Sequence, residues 1–380
     1  MTKTPAPDAS DAAPLPALDS QVDRLHARGR DQTNVYLFLT YLIMVVAFSL
    51  LYPPLNWPDE PYQINRAFTH PNAYLFVVRL LSGTDCQLGY LRNAVPYGGN
   101  SFDVDLLRGT GCYMQLKVAN VLGIAMTALV GLWIAPRGEA RRVYLLSLIW
   151  PACVFYVTGI NQHVVFQTIS LAVASRVVVH GHAWRVMLLT IPLLLIDRSA
   201  ITLLAFLGVL GAIQFSGRLG VVVGLAMVAM GHFAPGLVAF IPESVIGPEA
   251  ATLAEILTKQ SDSIVFSLAL FMLSFVYLGG TSTIFGIGLD YALVIGALIV
   301  LLARERRSRA VWVHAAAFLT VYLAVVSVIP TIQTFRYYPY VLPVLIALLL
   351  RQPWMRSVYA IYAVVMSPVY IGMALWIAYS

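Results

Sequence analysis

The sequence predicts an all-α integral membrane protein, a polytopic bundle of about eleven transmembrane helices with a helical external first loop. Three observations predict it. Hydrophobic residues make up 59% of the 380 residues and charged residues only 11%, against about 25% charged in soluble domains, and the mean hydropathy is +0.78. The apolar residues fall into long runs of the kind that cross roughly 30 Å of hydrocarbon as helices, not into the short alternating strands of a β-barrel. Basic residues cluster in the short segments between runs, where they set orientation. The net charge of +6 therefore points to a membrane setting and not to nucleic acid.

Taken in order, residues 1–33 are rich in Ala, Pro, Asp and Ser and predict a disordered cytoplasmic tail. No apolar run begins before about Val35, so a cleavable signal peptide is not expected. Residues 34–380 predict a single transmembrane domain. Its first span is residues 35–55, followed by a long polar stretch, 56–112. Spans are expected next at 113–136, 143–160 and 164–180. Two short apolar runs, 186–196 and 200–215, flank Asp197-Arg198. Then come 219–241, a polar loop at 242–263 and an apolar region, 264–303, broken by GGTSTIFG. The last spans are 311–329, 338–350 and 357–379.

The positive-inside rule orients these spans. Arg24, Arg28 and Arg30 put the N-terminus in the cytoplasm, with RGEARR (137–142), HAWR (182–185), SGR (216–218), RERRSR (304–309) and RQPWMR (351–356). Alternation places 56–112, 161–163, 197–199, 242–263 and 330–337 outside, provided 264–303 crosses once and 264–280 is re-entrant or interfacial. The unusual polar residues then gather on the external face, with the chain expected in the plasma (inner) membrane. Cys86 and Cys112 lie in or beside the external loop, where a disulfide and two unpaired thiols are both open. Cys153 lies within a span, and no Cys/His cluster has zinc-ligand spacing.

The strongest local signal is YPPLNWPDEPYQINRAF, residues 52–68. Adjacent acids, Asp59 and Glu60, follow the first span directly, stiffened by Pro53, Pro54, Pro58 and Pro61. Tyr62, Ile64 and Phe68, with Gln63, Asn65 and Arg66 between them, suit a short interfacial amphipathic helix. A carboxylate on a rigid turn at the membrane edge is placed to act as general base on an acceptor hydroxyl. The plainer reading is a solvated acidic turn. The run 186–196 is too short to cross alone, which puts Asp197-Arg198 below the membrane surface, as a functional pair or as a structural ion pair. His163, in GINQHVVFQ, opens a span and suits orienting a phosphate or hydroxyl; its plainer reading is a helix-capping or interfacial histidine. Asn161 and Gln162 suit helix caps. Asp103 and Asp105 admit a divalent cation with Asp59 or Glu60, although a solvated loop explains them as well. Tyr337, Tyr338 and Tyr340 suit an aromatic belt.

PDEPYQINRAF resembles the first external loop of the GT-C superfamily of membrane glycosyltransferases, which includes lipid A aminoarabinose transferases and protein O-mannosyltransferases. TFRYYPYVLPVLIALLL, residues 334–350, is similar to a late helix of the same superfamily. The chain departs from it in being short and in lacking a sizeable C-terminal external domain, so the substrates of better-known members do not carry over. The resemblance implies an enzyme that passes a hexosyl or pentosyl group from a polyprenyl-phosphate-linked sugar donor to a glycan or lipid acceptor, with inversion. Asp59 and Glu60 are the expected catalytic residues, and Arg66, His163, Arg198, Arg336 and Tyr338 the expected substrate-binding set. Arginines stabilise a departing phosphate through paired charge-assisted hydrogen bonds. The alternatives are a polymerase joining lipid-linked repeat units and a non-enzymatic transporter or flippase of a lipid-linked sugar.

Overall fold

The computed structural model describes residues 17–51, 64, 73–82, 112–150, 153, 160, 163–197, 200–238, 303, 340–350 and single positions between 361 and 376. Among these every regular element is helical, with no strand. Three helices are long and apolar enough to cross a membrane: Gln32–Leu51, Tyr113–Ile134 and His163–His180. The expected spans at 264–303 and 311–329 and the loop at 242–263 lie outside the described residues. So do the acidic pair Asp103/Asp105, expected to admit a divalent cation, and the side chains of Cys86 and Cys112.

Helix α1, Ala17–Leu51, carries the first span. It begins well before the apolar run, at Ala17, within the stretch expected as a tail, whose first 16 residues lie outside the described residues. Once a long apolar helix exists, each added residue costs little, because nucleation has already been achieved. Helix α2, Ala73–Ser82, lies within the expected external loop. It buries Tyr74, Leu75 and Val78, and leaves Phe76, Val77, Leu80 and Leu81 exposed. Helix α3, Cys112–Ile134, matches the second span and packs along α2.

A tight turn joins α3 to α4, Glu139–Leu148. Pro136 cannot continue the helix, and Gly138 takes φ of 100°, a region open to glycine. Arg141 reaches back to donate to the Leu132 carbonyl at 2.9 Å, satisfying an acceptor that the end of α3 leaves open. The hairpin closes tightly because Gly131 has no side chain: a methyl there would overlap the buried Tyr144, whose hydroxyl donates to the Ala128 carbonyl. Helix α4 ends two residues before Trp150. The expected continuous span over 143–160 is therefore interrupted there, because Pro151 disfavours helical backbone at the residue before it.

Helix α5, His163–His180, is the centre of the bundle. Of its residues 78% are buried, against 39% and 44% for the spans in α1 and α3. It is apolar around its whole circumference, as a helix enclosed by others must be. Val164, Leu171 and Ala172 join a core formed by α1, α3, α4 and α9 (Val341–Leu350). Phe166, Ile169, Val173 and Val177 face a second core, built from α6 (Ala183–Thr190), α7 (Ala200–Phe215), Tyr340 and Val344. Helices α3 and α5 run parallel. Arg176 donates to the Ile134 carbonyl at 3.1 Å where both helices end, and Tyr113, Leu116 and Val165 share a third core where both begin.

After α6 the chain tightens into the 3-10 helix η1, Ile191–Leu195, started by Pro192. Together α6 and η1 rise about 22 Å and α7 about 24 Å, both short of a roughly 30 Å hydrocarbon layer. The Asp197 backbone turns the hairpin: its N–H donates to Leu193 at 2.9 Å, and its carbonyl accepts from Ala200 at 3.0 Å. Helix α8, Gly217–Val238, packs back along α7. Among the described residues many large apolar side chains face outward. Trp133, Leu189, Phe215 and Trp376 are mostly exposed, a distribution that suits contact with lipid and not water.

Candidate functional site

Several polar groups are satisfied locally: Thr127, Ser147, Thr168 and Ser175 donate to carbonyls four residues back in their own helices. Three further contacts lie toward the ends where α3 and α5 begin: Tyr74 to Asn120 and His163 to Asp197 cross between elements, and Lys117 turns to Tyr113 of its own helix.

His163 and Asp197 form the centre of this group. His163 is the first residue of α5, and its Nδ1 meets the Asp197 Oδ2 at the hairpin turn, 34 residues away in sequence. A carboxylate oxygen only accepts, so Nδ1 carries the hydrogen of this contact. Both residues are buried, at 9% and 3% exposure. Ile196, next to Asp197, packs on the third core with Tyr113, Leu116, Ile160 and Val165. The pairing gives Asp197 a partner on another helix.

Lys117 enters α3 one turn after Tyr113, directly beside Leu116 of the same core. It is 2% exposed. Its amine donates to the Tyr113 hydroxyl at 2.9 Å and lies 5.3 Å from the centre of that ring. Gln167, one turn into α5, is also buried. Tyr74 of α2 donates to the Asn120 Oδ1 at 2.6 Å, which fixes α2 against α3 on the same side. Sequence inspection had passed over Lys117 because it sits inside an apolar run. The signal was present nonetheless: an ionisable side chain within a span is rare and marks a site.

Among the expected site residues, His163 alone is described. Asp59, Glu60, Arg66, Arg198, Arg336 and Tyr338 lie outside the described residues, as do Asn161 and Gln162. Two described neighbours in sequence are informative. Ile64, four residues after Glu60, is fully buried in the third core with Tyr113 and Val165. Tyr340, four residues after Arg336, is fully buried and stacks on Phe206 near the middle of α7, with ring centres 4.7 Å apart. Among the described residues no three His, Cys, Asp or Glu side chains cluster as a metal site would.

Chemically, this end of the bundle combines a buried carboxylate, an imidazole held in one orientation and a basic side chain. That set suits binding an anionic group and moving a proton. No protein-family model matches the chain, and neither a curated protein nor a solved structure is similar to it.

Proposed function

We propose that the chain is a membrane glycosyltransferase of GT-C type, passing a sugar from a polyprenyl-phosphate-linked donor to a glycan or lipid acceptor on the external face. The observation that carries this reading is the gathering of Lys117, His163 and Asp197, all buried, at one end of the bundle around the core that also holds Ile64. Ionisable groups enclosed in a membrane bundle are costly and mark substrate or proton paths. The sequence brings the Asp59-Glu60 turn to within five residues of Ile64 and Arg336 to within four of Tyr340.

In this scheme the acceptor hydroxyl gives its proton to Asp59, supported by Glu60. Its oxygen bonds to the anomeric carbon from the face opposite the donor phosphate. The anomeric carbon–oxygen bond breaks, and its electron pair leaves with the phosphate. Arg198 and Arg336, with Arg66, balance the phosphate charge, and Tyr338 lines the donor. A lipid-linked donor suits a bundle whose outer surface is apolar, because its tail stays in the bilayer while its phosphate reaches the polar end.

The test is transfer by full-length protein in native membranes from polyprenyl-phosphate-linked sugars. Asp59→Asn is expected to abolish transfer while expression and membrane insertion stay intact. Normal turnover by that variant removes the proposal.

A further inference from the structure

We infer that α2 is a half-span: it stands in the hydrocarbon of the leaflet where α3 begins, and its Phe76, Val77, Leu80 and Leu81 dock against lipid acyl chains. The inference goes beyond the glycosyltransferase reading and does not depend on it.

The line of α2 along α3 sets its depth. Tyr74, in the first turn of α2, donates to the Asn120 Oδ1 at 2.6 Å. Its ring lies against Gly123, where a methyl would come within 3.0 Å of a ring carbon. Leu75 and Val78 belong to a core whose α3 members, Tyr113, Leu116 and Ala119, all precede Asn120. Helix α2 therefore runs back along α3, from the middle of that helix toward its start. Asn120 and Gly123 stand roughly 12 and 16 Å along α3 from Cys112, at about 1.5 Å per residue. The ten residues of α2 rise about 15 Å, half of a roughly 30 Å hydrocarbon layer. With α3 as a span, the first turn of α2 stands near mid-depth and its last turn at the membrane edge.

The side chains agree with that depth. Every exposed residue of α2 is apolar: Ala73, Phe76, Val77, Leu80 and Leu81. A helix in water or lying flat on the interface turns polar residues outward instead. The one charge in α2, Arg79, is in its last turn, where a long basic side chain reaches the headgroups. The face of α3 beside the one that α2 covers continues the same surface, since Met114, Val118 and Leu122, one turn apart, are exposed. That apolar band runs on down α3 to Trp133. Coverage over the whole length of a span is what a bilayer provides, and a contact with a second copy would be local. In this position Tyr74, Leu75 and Val78 close the third core against lipid.

The experiment uses full-length protein in phosphatidylcholine bilayers. A nitroxide is attached through a ketone-bearing residue that replaces Phe76, Leu80 or, as the reference within the span, Leu122, so the native cysteines stay. Collision of the label with oxygen, which partitions into hydrocarbon, is compared with collision with a water-soluble nickel chelate. Oxygen is expected to exceed the chelate several-fold at all three positions, with Phe76 deeper than Leu80. An excess of chelate at Phe76 and Leu80 overturns the inference in favour of an aqueous loop helix. Equal, shallow depths at the two positions overturn it in favour of a helix lying on the surface. Protection from both reagents overturns it in favour of a second copy or another segment of the chain. Protein without substitutions, in vesicles carrying a phosphatidylcholine with a diazirine halfway along its acyl chain, gives an independent reading. After illumination, peptides from α2 and from residues 113–123 are both expected to carry the lipid adduct, and adducts on α3 with none on α2 overturn the inference.

Discussion

Replacing the members of the His163–Asp197 pair distinguishes a buried ion pair from a neutral hydrogen bond, because the two differ several-fold in energy. The side chains are 11% and 2% exposed, so solvent screening removes little of the interaction. Opposite unit charges about 3 Å apart attract by roughly 5 kcal/mol at an effective dielectric constant of about 20. Truncating one partner of such a pair costs about 3–5 kcal/mol, since the other charge is left buried and alone. A neutral side-chain hydrogen bond between membrane helices averages only about 0.6 kcal/mol and reaches about 1.7. The perturbation is a cycle of His163→Leu, Asp197→Leu and the double variant. Each single variant is expected to lose about 3–5 kcal/mol, and the double variant less than either, because it strands no charge. The assay is reversible unfolding of the full-length protein in mixed micelles on titration with dodecyl sulfate. Singles that add, with a coupling at or below about 0.6 kcal/mol, refute the ion pair.

Three further substitutions probe how the bundle is held at both ends of α3. Gly131→Ala, which elsewhere in a helix would gain up to about 1 kcal/mol, is expected to lose about 1–3 kcal/mol in the same unfolding assay, because its methyl displaces the buried Tyr144. Tyr74→Phe removes the donor to Asn120 and is expected to cost about 1–2 kcal/mol; hydrogen exchange of residues 73–82 should accelerate while α5 keeps its protection. Arg141→Ala leaves the Leu132 carbonyl without this donor and is expected to cost about 1–2 kcal/mol, with faster proteolysis at residues 135–138 as the local readout.

Much of the helical frame was legible because span length and apolar content are set by the bilayer, which every segment meets on the same terms. The second span, the central helix and the hairpin about Asp197 follow from that constraint. Helix α2 escaped notice for a related reason. AYLFVVRLLS is ten residues long, too short to register as a span, and it sits in a stretch judged by its polar flanks. The break before Pro151 was written in the proline, but hydropathy averages across it. The partner of Asp197 was not legible at all. Its nearest charged neighbour in sequence is Arg198, and choosing His163 instead requires knowing that η1 ends beside the start of α5. Lys117 was legible in kind, as a basic residue inside an apolar run, although its contact with Tyr113 one turn earlier is visible only once the helix is drawn.

Stability alone does not account for this end of the bundle. An apolar replacement of similar volume for a buried ion pair is commonly neutral or stabilising by about 1–4 kcal/mol, and a membrane bundle gains its cohesion from close packing of the kind seen between Gly131 and Tyr144. Helix α5 is enclosed by aliphatic and aromatic side chains, and its Thr168 and Ser175 hydroxyls are returned to its own carbonyls. Lys117, His163 and Asp197 depart from it together, on three different elements that meet at one core. Separate structural accidents would be scattered through the bundle. A cluster drawn from α3, α5 and the η1 turn suits a shared task that needs charge, and the proposed transfer of a group carried on a phosphate is such a task.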